Sequence, residues 1–193
     1  MWKMAVLLSG SGRTLDNFHR CIQAGTLRAS IQVVIADVSS ALGLEKARRY
    51  GYPAFHAKDI DTTNQVIADH DVDLIALAGY LKLYRPPVGL ERNVLNIHPS
   101  LIPLFCGKGF YGHHVHEAVK RRGCLISGCT VHFANSQYDE GPIVVQRCVC
   151  LEREDTVEII AAKVFAEECE AFPEAINLVA EKGVEYFWRN IEQ

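Results

Sequence analysis

Short apolar runs take turns with helical patterns along the first half of the chain, and this alternation leaves few folds open. Residues 4–8 form an apolar run that empties into Ser9-Gly10-Ser11-Gly12, after which Leu15, Phe18 and Ile22 recur at helical spacing. Residues 31–36 give a second, β-branched run, and residues 41–50 a second helical pattern whose end is marked by Gly51 and Pro53. Strand, helix and strand in this order pack as a parallel sheet with covering helices.

Residues 73–78 read as a buried strand emptying into Gly79-Tyr80-Leu81-Lys82, and residues 94–97 as another emptying into His98-Pro99-Ser100. Both loops belong at the carboxyl edge of the sheet, where ligands of open α/β sheets bind, so they and the Gly12 loop are expected to face one crevice. Residues 112–122 suit a helix ended by Gly123, and residues 127–133 and 143–150 two strands separated by a polar stretch. Residues 155–182 are long and amphipathic, with Phe172-Pro173 expected to break or kink the helix. The fold class is therefore α/β: a Rossmann-like open, mostly parallel twisted sheet with helices on both faces, then a C-terminal β excursion and a long helix. One domain is expected over residues 1–193.

Composition excludes several functions. A hydrophobic share of 49%, 22% charged residues and a net charge of -3 describe a near-neutral globular chain, not a disordered one or a general nucleic-acid binder. The start, Met1-Trp2-Lys3-Met4, lacks the pattern of a signal peptide. No apolar run approaches the roughly 20 residues that a membrane span needs. The expectation is a soluble cytoplasmic protein without nucleic-acid or membrane partners, acting as monomer or homodimer. The 7 cysteines are scattered without paired CxxC spacing and read as reduced thiols filling space.

Ser9-Gly10-Ser11-Gly12-Arg13-Thr14 joins a strand to a helix, where free N–H groups and the helix dipole favour an anion; Arg13 adds a charge and Thr14 a hydroxyl. The residues leave open a phosphate site, a tight structural turn and a nicotinamide dinucleotide site. Against the last, Leu15 stands where the dinucleotide fingerprint has its third glycine.

Asn96 and His98 stand two apart at the end of an apolar strand, so their side chains share a face if extended geometry continues through Ile97. An amide donor beside an imidazole can stabilise the oxyanion of acyl transfer. A neighbouring carboxylate such as Asp139 would raise the imidazole pKa and orient the ring. Alternatively, Asn96 and His98 only satisfy backbone groups where strand meets loop, and Asp139 is a turn residue.

These residues do not stand alone. With Gly43-Leu44-Glu45-Lys46-Ala47-Arg48, Leu77-Ala78-Gly79-Tyr80-Leu81, Asn96-Ile97-His98-Pro99-Ser100-Leu101-Ile102-Pro103, Val131-His132-Phe133 and Asp139-Glu140-Gly141-Pro142-Ile143, the chain resembles the phosphoribosylglycinamide formyltransferase family over nearly its whole length. The Asn-x-His with its spaced Asp is shared by other formyl-folate enzymes, including transferases acting on other amines and formyltetrahydrofolate hydrolases. The phosphate loop, the compact length and the segment Gly112-His113-His114-Val115-His116-Glu117-Ala118-Val119 favour the purine-synthesis acceptor.

The resemblance implies 10-formyltetrahydrofolate as co-substrate and glycinamide ribonucleotide as acceptor, with direct attack by the amine and no metal. It implies catalytic roles for Asn96, His98 and Asp139, with His98 protonated through Asp139. Gly12, Arg13 and Thr14 would hold the acceptor phosphate and Glu168 its amine; Leu81, Lys82, Leu83 and Tyr84, with Asn96, would line the folate site. From the residues alone, Glu168 is equally a solvated neighbour of Glu167 and Glu170, and Lys82 equally a surface lysine.

His132 reads as a structural histidine supporting the Asp139 loop, and Ser100 as a loop support. His113, His114 and His116 lack neighbouring ligands at metal-binding spacing. Two departures stand out. The stretch between Phe55 and Val72 is short and lacks the family's usual arginine, leaving His56 and Lys58 as the nearest cations, and Cys106-Gly107-Lys108-Gly109-Phe110 lengthens the loop after Pro103. A binding protein that retains the scaffold without catalysis is the reading from another class.

Overall fold

A computed structural model describes residues 1–189; the last four residues of the expected domain lie outside the described residues. One sheet has the order β3-β2-β1-β4-β5-β6-β7. Its strands are β1 (Trp2–Leu8), β2 (Ala29–Ala36), β3 (Ala54–His56), β4 (Leu74–Leu77), β5 (Val94–His98), β6 (Ile126–Phe133) and β7 (Ile143–Cys150). The pairs from β3 through β5 are parallel, and β6 and β7 are added antiparallel. This is the Rossmann-like, mostly parallel sheet expected from the alternation, with the β excursion at one edge.

The helices are α1 (Arg13–Gln23), α2 (Leu42–Arg49), α3 (Ile60–Ala68), α4 (His113–Arg122), α5 (Val157–Lys182) and α6 (Val184–Trp188). Side chains of β1 alternate between the two faces, as a strand dictates. Met4, Val6 and Leu8 join a large core with residues of α1, α2, α4 and α5, whereas Ala5 and Leu7 join a smaller one with Ile67 of α3 and Tyr80 and Tyr84. Phe18 and Phe172 meet edge to face with ring centroids 5.0 Å apart, tying α1 to α5. Each such fully buried ring stabilises the fold by about 1.5–3 kcal/mol.

Of the break or kink expected at Pro173, the break does not occur: α5 runs unbroken for 26 residues. Proline cannot donate to the carbonyl four residues back, which is that of Cys169. Buried Asn17 of α1 supplies the missing partner, its Nδ2 donating to the Cys169 carbonyl at 2.7 Å. Tertiary packing thus removes most of the reason to break.

Strand order reverses between β1 and β4. The loop after β1 and the loop after β4 diverge there and open the crevice that the topology calls for. The Ser9 N–H donates to the Gly79 carbonyl at 3.0 Å, and the Leu81 N–H to Ser9 Oγ at 3.1 Å, so the two loops hold each other.

Candidate active site

The crevice has a volume of about 570 Å³ and takes its walls from the Gly12 loop, residues 77–84, the end of β5, the loop before α4, the β6–β7 connection and α5. Every one of Gly12, Arg13, Thr14, Leu81, Lys82, Leu83, Tyr84, Asn96, His98, Asp139 and Glu168 lines it. Residues spread over more than 150 positions of sequence therefore converge at one place.

Asn96 and His98 both belong to β5, so extended geometry does continue through Ile97. Asp139 reaches them from the β6–β7 connection with φ 60°, a left-handed conformation that aspartate tolerates better than most residues. Gly141, just beyond, is pressed so closely on the Phe133 carbonyl oxygen that a Cβ would come within 1.8 Å of it. That tight return sets the carboxylate between two imidazoles. His98 Nδ1 lies 3.6 Å from Asp139 Oδ2, and His132 Nε2 lies 3.5 Å from Oδ1. The Gly107 N–H donates to Oδ2 at 2.8 Å.

His132 does more than support the loop. Its Nδ1 donates to the Phe133 carbonyl at 2.9 Å, while Nε2 sits 3.1 Å from the Asn96 amide nitrogen. It thereby links Asn96 to Asp139. Ser100 meets its expected role, its hydroxyl donating to the Leu104 carbonyl at 2.7 Å and its carbonyl accepting from Thr130 Oγ1 at 2.7 Å.

One contact had no signature in the sequence. His98 Nε2 donates to the Phe105 carbonyl at 2.9 Å, and Phe105 holds φ 48°, an unfavourable region for a bulky residue. Both nitrogens of His98 thus face acceptors, a set that only the imidazolium satisfies in full.

Burial nevertheless decides its charge: with a side chain only 4% exposed, desolvation outweighs Asp139 and the Phe105 carbonyl and leaves the His98 pKa below its ordinary value. The expectation of an imidazole raised by its carboxylate is thereby corrected: burial outweighs the neighbouring carboxylate. Burial also pushes the Asp139 carboxyl up, but His132, His98 and the Gly107 amide together hold it below its ordinary value.

At the other end, Gly12 caps α1 with φ 71°. A Cβ there would lie 2.7 Å from the Gly43 Cα, so both the backbone conformation and the close approach of α2 require glycine. Asp16 in the first turn of α1 is neutralised by Lys46 at 2.6 Å and also accepts from the Tyr50 hydroxyl at 2.8 Å. The Arg13 guanidinium lies 4.1 Å from the centroid of the Phe165 ring on α5.

The three neighbouring glutamates of α5 part company. Glu167 pairs with Arg147 at 2.8 Å and Glu170 is exposed, whereas Glu168 faces the crevice. Desolvation raises its pKa to about 7 against the opposing pull of Arg13. It is not a solvated surface residue.

Lys82 is committed elsewhere. Its ammonium lies 3.2 Å from Asp37 Oδ2 and donates to the Lys58 carbonyl at 2.8 Å, so reaching an anionic tail would mean releasing a carboxylate whose side chain is 6% exposed. Tyr84 is buried and donates to Asn64 Oδ1 at 2.7 Å, while Leu81 stays exposed at the rim. Tyr80, Phe110, Tyr111, Gln137, Tyr138 and Phe165 also line the crevice. Aromatic residues on three loops carry no periodic pattern that would single them out. Among the described residues no group of three or more His, Cys, Asp or Glu is placed to hold a metal ion.

An α/β sheet whose crevice joins a helix N-terminus to an amide and to a buried imidazole and carboxylate defines a class of group-transfer protein, and comparison with known proteins agrees. The chain belongs to the formyl transferase family, whose model matches residues 2–176. It is 38% identical to the chloroplastic phosphoribosylglycinamide formyltransferase of Vigna unguiculata, over 97% of this chain and 63% of that protein. It is 33% identical to the phosphoribosylglycinamide formyltransferase of Haemophilus influenzae, over 94% of this chain and 88% of that one. The glycinamide ribonucleotide transformylase 1 of Symbiobacterium toebii superposes with a TM-score of 0.85 at 37% identity, covering 94% of this chain and 88% of that one. The chain thus spans less than two thirds of the Vigna protein's length.

Proposed function

We propose that this chain transfers the formyl group of 10-formyltetrahydrofolate to the amine of glycinamide ribonucleotide. The observation that carries the reading is the convergence of Asn96, His98 and Asp139 with the Gly12 loop and Glu168 in one crevice. A phosphorylated amine can lie with its phosphate on the α1 N-terminus, at Gly12, Arg13 and Thr14, and its nitrogen at Glu168. The folate then lies along Leu81, Lys82, Leu83 and Tyr84, with its formyl group at Asn96.

Glu168, poised near pH 7, accepts a proton from the incoming ammonium and leaves a nucleophilic amine. The amine attacks the formyl carbon, and the carbonyl π electrons move to oxygen. Asn96 donates to that oxyanion, and the buried His98 takes up the proton that the attacking nitrogen releases, the resulting imidazolium being stabilised by the oxyanion and by Asp139. Collapse breaks the carbon–nitrogen bond to the folate. The attacking nitrogen gives up a proton, the folate nitrogen gains one, and His98 is placed to pass it. No step needs a covalent enzyme intermediate or a metal.

The reading extends to a single formyltransferase domain that works in the cytoplasm as monomer or homodimer; among the described residues no helix is long and apolar enough to cross a membrane. The test is optical. The protein is incubated with the formyl donor and, in parallel, glycinamide ribonucleotide, other phosphorylated amines and sugar amines. Folate release is expected with glycinamide ribonucleotide, and its absence there would sink the acceptor assignment. Release without any amine would favour a hydrolase.

A further inference from the structure

His116 lies on α4 against the crevice, and none of the roles above uses it. The residue is 6% exposed, and its Nδ1 is buried with no hydrogen-bond partner among the described residues. An orphaned buried N–H is rarer than an orphaned acceptor, so the favoured tautomer keeps a lone pair on Nδ1 and its proton on Nε2. The ring then offers the crevice a single N–H donor.

Its surroundings point to what it would donate to. Burial, followed by the positive influence of His113, Arg13 and His98, holds its pKa at about 4, so the ring is neutral near pH 7. The same crevice holds the N-terminus of α1, whose first intrahelical bond runs from the Asp16 N–H to the Gly12 carbonyl. The helical amides before Asp16 therefore have no partner within the helix. A buried ring with one N–H to donate, the arginine that acts on it and a helix N-terminus, all lining one crevice, form a positive set whose natural complement is an anion.

We propose that His116 is a further acceptor-binding residue, its Nε2–H donating to an oxygen of the phosphomonoester held by the α1 N-terminus and Arg13. The assignment rests on the acceptor reading given above. It makes His116 a determinant of preference for the phosphorylated acceptor over its unphosphorylated riboside, because the riboside has no oxygen at that point. A neutral donor also adds no charge to a cluster that already holds Arg13.

Steady-state kinetics of His116→Ala, His116→Asn and His116→Gln test this, alongside titration of the wild-type ring with inorganic phosphate followed by 15N NMR. Glutamine presents an N–H near the Nε2 position and asparagine near Nδ1. Loss of a hydrogen bond to a charged oxygen is worth about tenfold or more. His116→Ala and His116→Asn are expected to raise the acceptor KM by about that factor, with kcat and the KM for the formyl donor little changed. The KM for glycinamide riboside should stay where it was, and His116→Gln should recover most of the loss. Inorganic phosphate should shift the Nε2 resonance of His116 in saturable fashion.

An unchanged acceptor KM, an equal loss with the riboside or a phosphate-insensitive ring would overturn the proposal. If the alanine variant fails to fold, the glutamine variant and the titration of the wild type still decide. If the wild type does not formylate glycinamide ribonucleotide at all, the functional reading fails; a saturable shift with phosphate would still assign the anion to His116, and no shift would remove both.

Discussion

The proposed acyl-transfer centre and the wall formed by residues 81–84 lie in one crevice but are built on opposite principles. At the centre, His98 and Asp139 are 4% and 8% exposed, and each is fixed by a polar contact besides their mutual one. At the wall, Leu81 is 55% exposed and Lys82 is spent on Asp37, so the surface that meets a ligand is mostly apolar and backbone. Groups that must change charge in a reaction are kept dry and preorganised, where each interaction is strong. Groups that only hold a large flat ligand need shape, and their one cation serves the fold.

Breaking the centre should therefore cost catalysis, and breaking the wall should cost stability. His98→Ala is expected to lower kcat by about 10²–10⁴, the range for losing a positioned acid-base group that also stabilises an oxyanion, with both KM values nearly unchanged. Steady-state rates of folate release measure it.

Glu168→Gln comes next. Activity of the wild type should climb as pH rises through about 7, where the carboxyl ionises; the variant should lose that limb and raise the acceptor KM by about tenfold. Stability supplies an independent reading of the same group. Because its folded pKa is raised, the native state holds this proton more tightly than the unfolded chain, and stability falls as pH rises from the ordinary carboxyl range to about 7. The glutamine variant should melt above the wild type at pH 8, with the difference closing toward pH 5.

Gly12→Ala places a Cβ 2.7 Å from the Gly43 Cα at φ 71°. A cost of about 2–4 kcal/mol in chemical denaturation is expected, with a weaker hold on the acceptor. The smallest kinetic effect belongs to Lys82→Ala. The donor KM should change by less than about threefold, whereas removal of the partner of Asp37 should cost about 1–3 kcal/mol of stability. A large rise in the donor KM would show that Lys82 leaves Asp37 for the folate.

The sequence was most readable where local pattern and final environment agree. Strand runs and glycine loops announced β1, β2, β4 and β5, and the carboxyl edge rule then placed their loops together. Pro173 does not break the helix because the amide that completes the Cys169 carbonyl comes from Asn17, 152 positions away in sequence. Asn96, His98 and Asp139 were visible through family pattern, but the charge of His98 was not, since desolvation depends on what packs around it. The Phe105 carbonyl was equally hidden, because nothing about a phenylalanine foretells φ 48°. His116 was visible only as one of three histidines in the family-like segment 112–119; its burial and its unpartnered nitrogen are what distinguish it from the other two.

The most direct test of the division between centre and wall is the single-turnover rate of formyl transfer by Asp139→Asn, with both substrates saturating and the fold checked by its melting transition. The geometry predicts a loss of about 10² or more in that rate, with little change in the binding of either substrate, because asparagine keeps the shape of the group but not the charge that holds the His98 imidazolium. Turnover at the wild-type rate would contradict the account and return Asp139 to the status of a turn residue.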